Sequence, residues 1–367
     1  MSAHRIRVGL IGANLNYSWG AKAHAPAFLS LPEYELVAIC TAHPETASQS
    51  AQHFGARLAF HDYQEMVRHP DIDLVSIAVR VPYHHEMTIA ALNAGKHVFC
   101  EWPLGANLVQ AEEMASLANA KGLGNMVGLQ TRCAPAIMRV KELIDEGYIG
   151  DVLSCHVTNI LPGSLEIPSY WADLNSDPKK GANTLTIQGG HTLDTLCFCV
   201  TEFQELSTQL KTQVKQWRIT GTDRVIETST PDNVMVQGVL TNGAVVSAHV
   251  ASIPWNGTGW RMDIYGREGT IVISGPGVVS FTDYRLQGSS KTERELKDLP
   301  IPDHLTWVPP EVPKGQPFNL AQALRRFAEG IRNGRSVEPD FNVGGTRHRM
   351  IAAIESSSLE GKVVEVK

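Results

Sequence analysis

A glycine and an asparagine follow the first apolar segment of the chain, in a pattern that is able to bind phosphate. Gly12 comes directly after the run Val8–Ile11, and Asn14 stands two positions later, before a helical stretch. In a dinucleotide fingerprint, glycines let the backbone turn tightly and approach a pyrophosphate at a helix N-terminus. Gly12 fits the first glycine position, and Asn14 occupies the place of the second. Asn tolerates a left-handed backbone best among the other residues, but its side chain would crowd the pyrophosphate or hydrogen-bond to it. A glycine-containing turn with no ligand is the alternative.

Short apolar runs alternate with helical stretches in the first third of the chain. This alternation predicts a parallel, doubly wound α/β sheet of the Rossmann type, whose strand-to-helix turns would include the Gly12 loop. The predicted strands are Arg7–Ile11, Leu36–Cys40, Leu74–Val79, Val98–Cys100 and Asn125–Leu129.

The pattern changes after about residue 130 to longer segments in which apolar and polar residues alternate. Period-two alternation predicts a mostly antiparallel sheet with one covered face. We therefore predict two domains: residues 1–130 bind the dinucleotide, and residues 131–367 form an α+β domain with a large open sheet for substrate binding and oligomerisation. The predicted strands are Leu206–Trp217, Asn233–Leu240, Ala244–Ser252 and Arg261–Tyr265, and the predicted helices are Pro135–Glu146, Asn319–Asn333 and Thr346–Leu359.

Composition excludes several classes of protein. Of 367 residues, 43% are hydrophobic and 19% are charged, and the formal net charge is -6, so nucleic acid is not an expected partner. No run has the length of a membrane span and the N-terminus lacks the apolar core of a signal peptide, so we expect a cytoplasmic protein with no membrane contact. The six cysteines are scattered without a Cys-x-x-Cys pair, which indicates reduced core thiols and no metal site.

The stretch Cys100-Glu101-Trp102-Pro103-Leu104 follows a predicted strand and is the most informative motif. Together with Val79–His84 and Asn93–Lys96, it resembles the glucose-fructose oxidoreductase, inositol dehydrogenase and MocA (Gfo/Idh/MocA) family. That family carries Glu-Lys-Pro here, with a catalytic lysine where this chain has Trp102. A tryptophan cannot transfer a proton near neutral pH, so the role of the lysine is moved elsewhere or is missing.

Four extra residues separate Gly12 from His24, compared with the usual spacing in the family. This longer loop, with Lys22-x-His24 and Glu101-Trp102, resembles the subgroup that includes the fungal galactose-regulon repressor. Members of that subgroup bind NAD(P) and sugars or proteins without necessarily converting a substrate. The similarity extends from residue 8 to about residue 200.

The resemblance implies an NAD(P) site in the first domain. At the end of the second strand, NAD-specific enzymes usually place an acidic residue, whereas this chain has Thr41 and His43. Thr41 leaves room for a 2'-phosphate and His43 adds partial positive charge, so NADP is favoured, with NAD as the alternative. The predicted cofactor-binding residues are Gly12, Asn14, Trp19, Lys22, Thr41, His43, His84, Glu101 and Trp102.

In its second domain the family carries an Asp and, four residues later, a His that faces the nicotinamide. The histidine is kept here as His191, but the Asp position is Ile187. His191 alone is able to act as acid/base, because its ordinary pKa lies near neutrality. Asp194, one helical turn on, is predicted to fix the imidazole tautomer, or else to be a packing carboxylate. Lys180 is predicted to supply the missing ammonium, or else to be solvated.

Three further residues are candidates for contact with substrate. Arg132 follows the strand that ends at Leu129, near the edge of the sheet where ligands bind in this architecture. Tyr170 and Trp171 resemble an aromatic pair that lines sugar sites, with core packing as the alternative.

These patterns together favour an NAD(P)-dependent oxidoreductase that acts on a hydroxyl of a sugar, glycoside or cyclitol, with His191 as the acid/base. The alternative is a catalytically silent NAD(P)-binding sugar sensor or regulatory protein, which Trp102 and Ile187 favour. In either case the strands between Leu206 and Ser252 are expected to form an exposed apolar face that a second subunit covers. We therefore predict a homodimer or a dimer of dimers.

Overall fold

The chain divides into two compact units. The structure, a computed structural model, describes residues 4–16, 18–163 and 165–367. The first unit combines Met1–Cys133 with Thr306–Thr346, and the second combines Ala134–Leu305 with Arg347–Lys367. The predicted boundary near residue 130 lies close to the observed one, but the assignment of all of 131–367 to one domain is corrected, because residues 306–346 return to the first unit.

The first unit contains a six-stranded, fully parallel sheet in the order β3-β2-β1-β4-β5-β6. This order confirms the predicted Rossmann sheet, and the five predicted runs are all strands in it. The third strand was missed, because it is short and only partly buried. The strands are β1 (Ile6–Ile11), β2 (Tyr34–Cys40), β3 (Leu58–Phe60), β4 (Leu74–Ile77), β5 (His97–Cys100) and β6 (Asn125–Val127).

The helices of the first unit cover this sheet. They are α1 (Ala25–Leu29), α2 (Pro44–Phe54), α3 (Tyr63–Arg68), α4 (His84–Asn93) and α5 (Leu108–Lys121), with the C-terminal α9 (Gln316–Arg332). Helix α9 belongs here for a physical reason. Its apolar face, which includes Leu324 and Phe327, is buried in the same core as Phe28 and Tyr34, and the Tyr34 hydroxyl donates to the Leu324 carbonyl at 2.7 Å.

The second unit contains a nine-stranded sheet in the order β17-β16-β15-β14-β7-β13-β12-β9-β18 and a small sheet in the order β11-β10-β8. The pairing in the large sheet is antiparallel except between β7 and β13, which confirms the predicted architecture. The strands are β7 (Val152–Pro162), β8 (Glu166–Ile167), β9 (Phe203–Lys211), β10 (Gln216–Ile219), β11 (Val225–Glu227), β12 (Asn233–Leu240), β13 (Val245–Ile253), β14 (Gly259–Gly266), β15 (Gly269–Gly275), β16 (Arg285–Ser290), β17 (Lys297–Asp298) and β18 (Val364–Glu365). The helices are α6 (Pro135–Asp145), α7 (Ser169–Asn175), α8 (Gly190–Cys199) and α10 (Phe341–Glu360), the last of which begins in the first unit.

The predicted strand Leu206–Trp217 is wrong, because the chain turns out of the large sheet after Lys211. The Asp232 carboxylate accepts the backbone N–H groups of Gln213 at 2.9 Å and Val214 at 2.7 Å. These bonds satisfy donors that would otherwise need a strand partner. The next strand, β10, therefore pairs in the small sheet.

The open face of the large sheet is more polar than predicted. One register line across it contains Gln209, Met235, His249, Thr158 and Arg261, and only one of these five is apolar. The expected apolar face is therefore corrected to a mixed face in which polar side chains dominate. The described part of the chain has no helix that is both long and apolar enough to span a membrane.

Candidate active site

Two glycines shape the loop after β1. Gly12 has a φ of 99°, and a Cβ there would overlap the carbonyl oxygen of Ala78. A Cβ on Gly20 would lie 2.6 Å from the Gly12 carbonyl oxygen. Both positions therefore need glycine because backbone meets backbone there. The loop lies at the carboxyl ends of β1 and β4, where the strand order reverses, which is the position that binds dinucleotides in this architecture.

Asn14 organises the lengthened part of this loop. No described residue other than glycine has a positive φ, so the left-handed conformation considered for Asn14 is corrected. Its side-chain Oδ1 instead accepts the backbone N–H of Asn16 at 3.0 Å, and its carbonyl accepts the Ser18 hydroxyl at 2.8 Å. The loop then enters a single π-helical turn, Gly20–His24.

The two other predicted residues of this segment differ in exposure. Trp19 is half-buried and packs against the core of the first unit, whereas Lys22 is exposed. Lys22 is thus the side chain of this segment that is accessible to an anionic ligand.

Glu101 anchors this loop through a contact that the sequence pattern did not reveal. Its Oε1 lies 2.7 Å from Nε2 of the fully buried His24, whose Nδ1 lies 2.9 Å from the Ser76 hydroxyl. Ser76 is on β4 and Glu101 directly follows β5, so one imidazole connects the π-helical turn to two strands. Gly128 stands against the same carboxylate, since a Cβ there would lie 2.7 Å from Oε2 of Glu101.

His84 holds together the segments that follow β4 and β5. Its Nδ1 lies 2.8 Å from the carbonyl oxygen of Pro103, and its Nε2 lies 3.1 Å from that of Val79. Burial lowers the pKa of His84, and the two carbonyls partly oppose that shift. Trp102 precedes Pro103, joined by a cis peptide bond, and its side chain is only 5% exposed. The contacts of His84 therefore give it a structural role beside Trp102.

The end of β2 has one buried and one exposed candidate. The Thr41 hydroxyl donates to the His43 carbonyl at 3.2 Å and lies 2.6 Å from the Thr46 hydroxyl. Thr41 is buried, and its hydroxyl is already used within the loop, whereas His43 is exposed. Of the two candidates, His43 is therefore the one whose side chain is accessible to solvent.

In the second unit, a capped helix presents His191. The Asn183 side chain accepts the backbone N–H groups of Leu185 at 2.9 Å and Thr186 at 3.1 Å, which caps a π-helical turn, Thr184–Gly189. This turn leads directly into α8, and His191 is the second residue of α8 with 8% exposure. Single π-helical turns occur frequently at functional sites. The cap fixes where the helix begins and hence where His191 lies.

Asp194 makes an ion pair that the sequence did not predict. Its Oδ1 lies 3.1 Å from Nε of Arg347 on α10, and both side chains are about 1% exposed. Arg347 also pairs with Glu202, which follows α8. These contacts support the alternative of a packing carboxylate, and a hydrogen bond from the imidazole of His191 to Asp194 stays a prediction.

The remaining predicted residues of the second unit lie near its surface. Lys180 is half-buried at the end of a 3-10 turn, Pro178–Lys180, that Asp177 caps through the N–H of Lys179 at 3.0 Å. Tyr170 and Trp171 on α7 are 37% and 40% exposed, with ring centroids 5.8 Å apart. They form an aromatic surface and are not core residues.

Arg132 lies in the first unit, in a 3-10 turn after β6. It is buried, and its Nη1 lies 3.2 Å from the exposed carboxylate of Glu338. A role in binding substrate would require this guanidinium to be shared with, or released from, Glu338. Among the described residues, no group of three or more His, Cys, Asp or Glu side chains is arranged to hold a metal ion.

Comparison with known proteins identifies the family. Residues 6–129 match the family described as "Oxidoreductase family, NAD-binding Rossmann fold" (GFO_IDH_MocA), and residues 135–275 match "Gal80p, C-terminal domain". A levoglucosan dehydrogenase of Pseudarthrobacter phenanthrenivorans is 30% identical, over 98% of this chain and 97% of the relative. The chain belongs to the Gfo/Idh/MocA oxidoreductase family. The resemblance inferred from Glu101-Trp102-Pro103 is thereby confirmed.

Three further proteins are also similar to the chain. Dehydrogenase aclE of Aspergillus oryzae is 31% identical over 75% of this chain and 78% of the relative. The galactose/lactose metabolism regulatory protein GAL80 of Saccharomyces cerevisiae is 29% identical, but the match covers 66% of this chain and 60% of the regulator. A solved levoglucosan dehydrogenase in complex with NADH and L-sorbose superposes over 100% of both chains, with 27% identity and a TM-score of 0.86.

Proposed function

We propose that this member of the Gfo/Idh/MocA family is an NAD(P)-dependent dehydrogenase or reductase of a sugar, glycoside or cyclitol. The observation that carries the proposal is His191, a nearly buried imidazole fixed at the start of a capped helix. Similar chains along nearly the whole length support it, including levoglucosan dehydrogenase and the NADP(+)-dependent scyllo-inositol 2-dehydrogenase IolW of Bacillus subtilis, which is 24% identical over 98% of this chain.

The first unit fits a dinucleotide. Gly12 places no side chain of its own at the carboxyl end of β1, and Lys22 and His43, which follow β1 and β2, are exposed cations or potential cations. When bound, the nicotinamide accepts or donates the hydride. NADP is preferred in this proposal, because no carboxylate at the end of β2 would repel a 2'-phosphate and His43 would attract it. His84, Glu101 and Trp102 would shape the remainder of this site.

His191 is proposed to move the proton. Oxidation of a hydroxyl removes a hydride from carbon and a proton from oxygen, and a neutral imidazole is able to accept that proton near pH 7. In the reverse direction the imidazolium donates it. Asp194 is paired with Arg347 and Trp102 has no proton to transfer at this pH, which leaves His191 as the side chain best suited to the step. Lys180 is a second candidate for an ammonium that polarises the substrate oxygen.

Carbohydrate is the proposed substrate class. The faces of Tyr170 and Trp171 offer flat apolar surface for the C–H face of a sugar ring. Arg132 carries several N–H donors and stays a further candidate for contact with substrate. We also propose that the protein is a homodimer or a dimer of dimers, and that it acts in the cytoplasm without nucleic acid as a partner.

A catalytically silent sugar sensor is the second candidate. Trp102 and Ile187 occupy the two positions where the family has polar catalytic groups, and the match of residues 135–275 to the Gal80p C-terminal domain favours it. The full-length similarity to dehydrogenases makes it the weaker proposal, because the chain spans only 60% of GAL80.

Titration of the purified protein with NADPH and NADH, followed by a panel of sugars, glycosides, inositols and their keto forms, tests the proposal. Turnover is expected in the wild type and in His53→Asn, a variant at an exposed histidine at the end of α2. His191→Asn is expected to bind the cofactor normally but to lose at least about 100-fold in kcat. Cofactor binding without turnover across the panel would favour the sensor.

A further inference from the structure

The loops that follow β7 and β13 begin side by side in the second unit. These two strands are parallel neighbours, and Ile253 at the end of β13 is in register with Pro162 at the end of β7. The N–H of Gly163 donates to the Ile253 carbonyl. A Cβ on Gly163 would stand 3.0 Å from Cβ of Ser252, so the two chain ends are in close contact.

Gln188, in the π-helical turn before His191, contacts the end of β13. The Ser252 hydroxyl donates to Oε1 of Gln188 at 3.3 Å and lies 3.1 Å from the Thr184 hydroxyl. Each hydroxyl has one proton to donate, and that of Ser252 is donated to Gln188. The Thr184 hydroxyl therefore donates to the Ser252 oxygen. The carbonyl end of the Gln188 amide therefore faces Ser252, and its Nε2 carries two N–H donors that no described residue accepts.

Gln188 also lies three residues before His191, about one helical turn away. Side chains three residues apart are neighbours on an α-helix, and here Gln188 lies in the last part of the π-helical turn and His191 at the start of α8. A ligand hydroxyl that reaches the imidazole of His191 would thus place an adjacent hydroxyl of the same ring within the surroundings of Gln188.

Trp255 projects from the loop between β13 and β14 and is 79% exposed. The loop itself is packed closely: a Cβ on Gly257 would overlap the carbonyl oxygen of Ile160, and one on Gly259 would overlap that of Gly275. The backbone is therefore held against its neighbours while the indole remains in solvent. Leaving a large apolar side chain exposed forgoes about 1.5–3 kcal/mol of burial free energy, so a ligand that covers the indole would recover it.

Trp255 lies close in the chain to Ser252, the hydrogen-bond partner of Gln188. It lies three residues beyond Ser252, and three extended residues span at most about 11 Å. One or two sugar rings are long enough to span a distance of this size. An indole face suits the C–H face of a ring, whereas two amide donors suit its hydroxyls.

We propose that Gln188 and Trp255 are specificity-determining residues for the carbohydrate. Gln188, oriented by Ser252, donates to a hydroxyl next to the one that is oxidised, and Trp255 stacks on the apolar face of the ring or of the attached aglycone. The ligand class is a pyranoside or cyclitol with neighbouring hydroxyls and one apolar face. This inference rests on the proposed function, because it names the residues that would determine which sugar binds at the same site.

The test compares Gln188→Glu, Trp255→Phe and Trp255→Ala with the control Val245→Ala, an exposed residue at the opposite end of β13. KM and kcat are measured with the best sugar of the panel and its deoxy analogues. Calorimetry of the sugar on the protein–NADP complex gives Kd without requiring turnover, and light scattering gives the oligomeric mass.

Trp255→Ala is expected to raise KM and Kd for the sugar about tenfold, which is about 1.4 kcal/mol, with Trp255→Phe in between and Kd for NADP unchanged. Gln188→Glu is expected to raise KM similarly for the hydroxylated sugar but not for the analogue that lacks the neighbouring hydroxyl. Unchanged KM and Kd in all three variants, or a change only in oligomeric mass, overturns the inference while the dehydrogenase stands. If the wild type binds the sugar without turnover and the variants bind it more weakly, the inference is supported and the dehydrogenase is removed. A wild type that binds no sugar removes both.

Discussion

Arg347 and Asp194 form an almost fully buried ion pair, with Nε of the guanidinium 3.1 Å from the carboxylate. Asp194 lies on the same helix as His191, and Arg347 lies on α10, far along the chain. A second carboxylate, that of Glu202, also contacts Arg347. The pair therefore fixes α8, the helix that carries the proposed acid/base, against the C-terminal helix of the second unit.

We expect that both partners of this ion pair contribute to the free energy of unfolding. Arg347→Met leaves the buried Asp194 carboxylate without this counterpart, which costs about 3–5 kcal/mol in free energy of unfolding. Asp194→Asn is expected to cost less, because Glu202 still contacts Arg347. The double variant is expected to lose less than the sum of the two single losses, because it leaves no such charge. Chemical denaturation measures this. Arg285→Met, which removes an exposed pair with Asp298, is the control and is expected to change little. Additive losses would contradict a direct interaction.

Gly12→Ala is expected to abolish cofactor binding and to destabilise the first unit. The new Cβ would overlap the Ala78 carbonyl oxygen, in addition to the roughly 1–2 kcal/mol that a left-handed φ costs any other residue. Gly55→Ala is the matched control, because Gly55 also has a positive φ but has nothing within 4 Å of an added Cβ. Fluorescence titration with NADPH and thermal unfolding compare the two variants. Equal effects of both substitutions would show that the contact with Ala78 contributes neither to NADPH binding nor to stability.

Stability is expected to fall as the pH drops below about 6.5, the ordinary pKa of histidine. Burial lowers the pKa of His84 in the folded protein, so the unfolded chain binds a proton on this residue first as the pH falls. Folding stability then decreases with falling pH, by at most about 1.4 kcal/mol per pH unit for one group. Burial lowers the pKa of His97 as well, which adds to the effect.

The contribution of His84 is measured from denaturation curves between pH 5 and pH 8. His84→Gln is expected to be less stable at pH 8, because the bonds to Val79 and Pro103 are changed, but to lose less further stability between pH 7 and pH 5 than the wild type does. His53→Gln, at an exposed site, serves as the control. An identical pH dependence in the wild type and His84→Gln would remove this explanation.

Much of the first unit was predictable because its physical signal is local. The strands of a parallel sheet that is covered on both faces are continuous apolar runs, and such runs in this chain are strands. Period-two alternation likewise predicted β12 at its observed bounds, Asn233–Leu240.

The anchoring contacts were not predictable, because they join distant parts of the chain. His24 and Glu101 were both noticed as motif residues, but nothing in their spacing of 77 residues indicated that they touch. Arg347 carried no signal, since one arginine in a helix is usually solvated. The departure of the chain from the sheet after Lys211 depends on the Asp232 carboxylate, a tertiary contact that overrides strand propensity.

His43 is expected to determine the preference between NADP and NAD. It is exposed at the end of β2, where the buried Thr41 hydroxyl is already engaged with Thr46. His43→Glu would place a carboxylate beside the 2'-phosphate, and at least a tenfold loss of NADPH affinity relative to NADH is expected, because like charges a few ångströms apart repel by more than about 1 kcal/mol in a partly desolvated site. Dissociation constants for both cofactors at 0.1 M salt measure the ratio. His53→Glu adds the same charge at the far end of α2 and is expected to leave the ratio unchanged. If His43→Glu also leaves it unchanged, the 2'-phosphate does not lie at this loop.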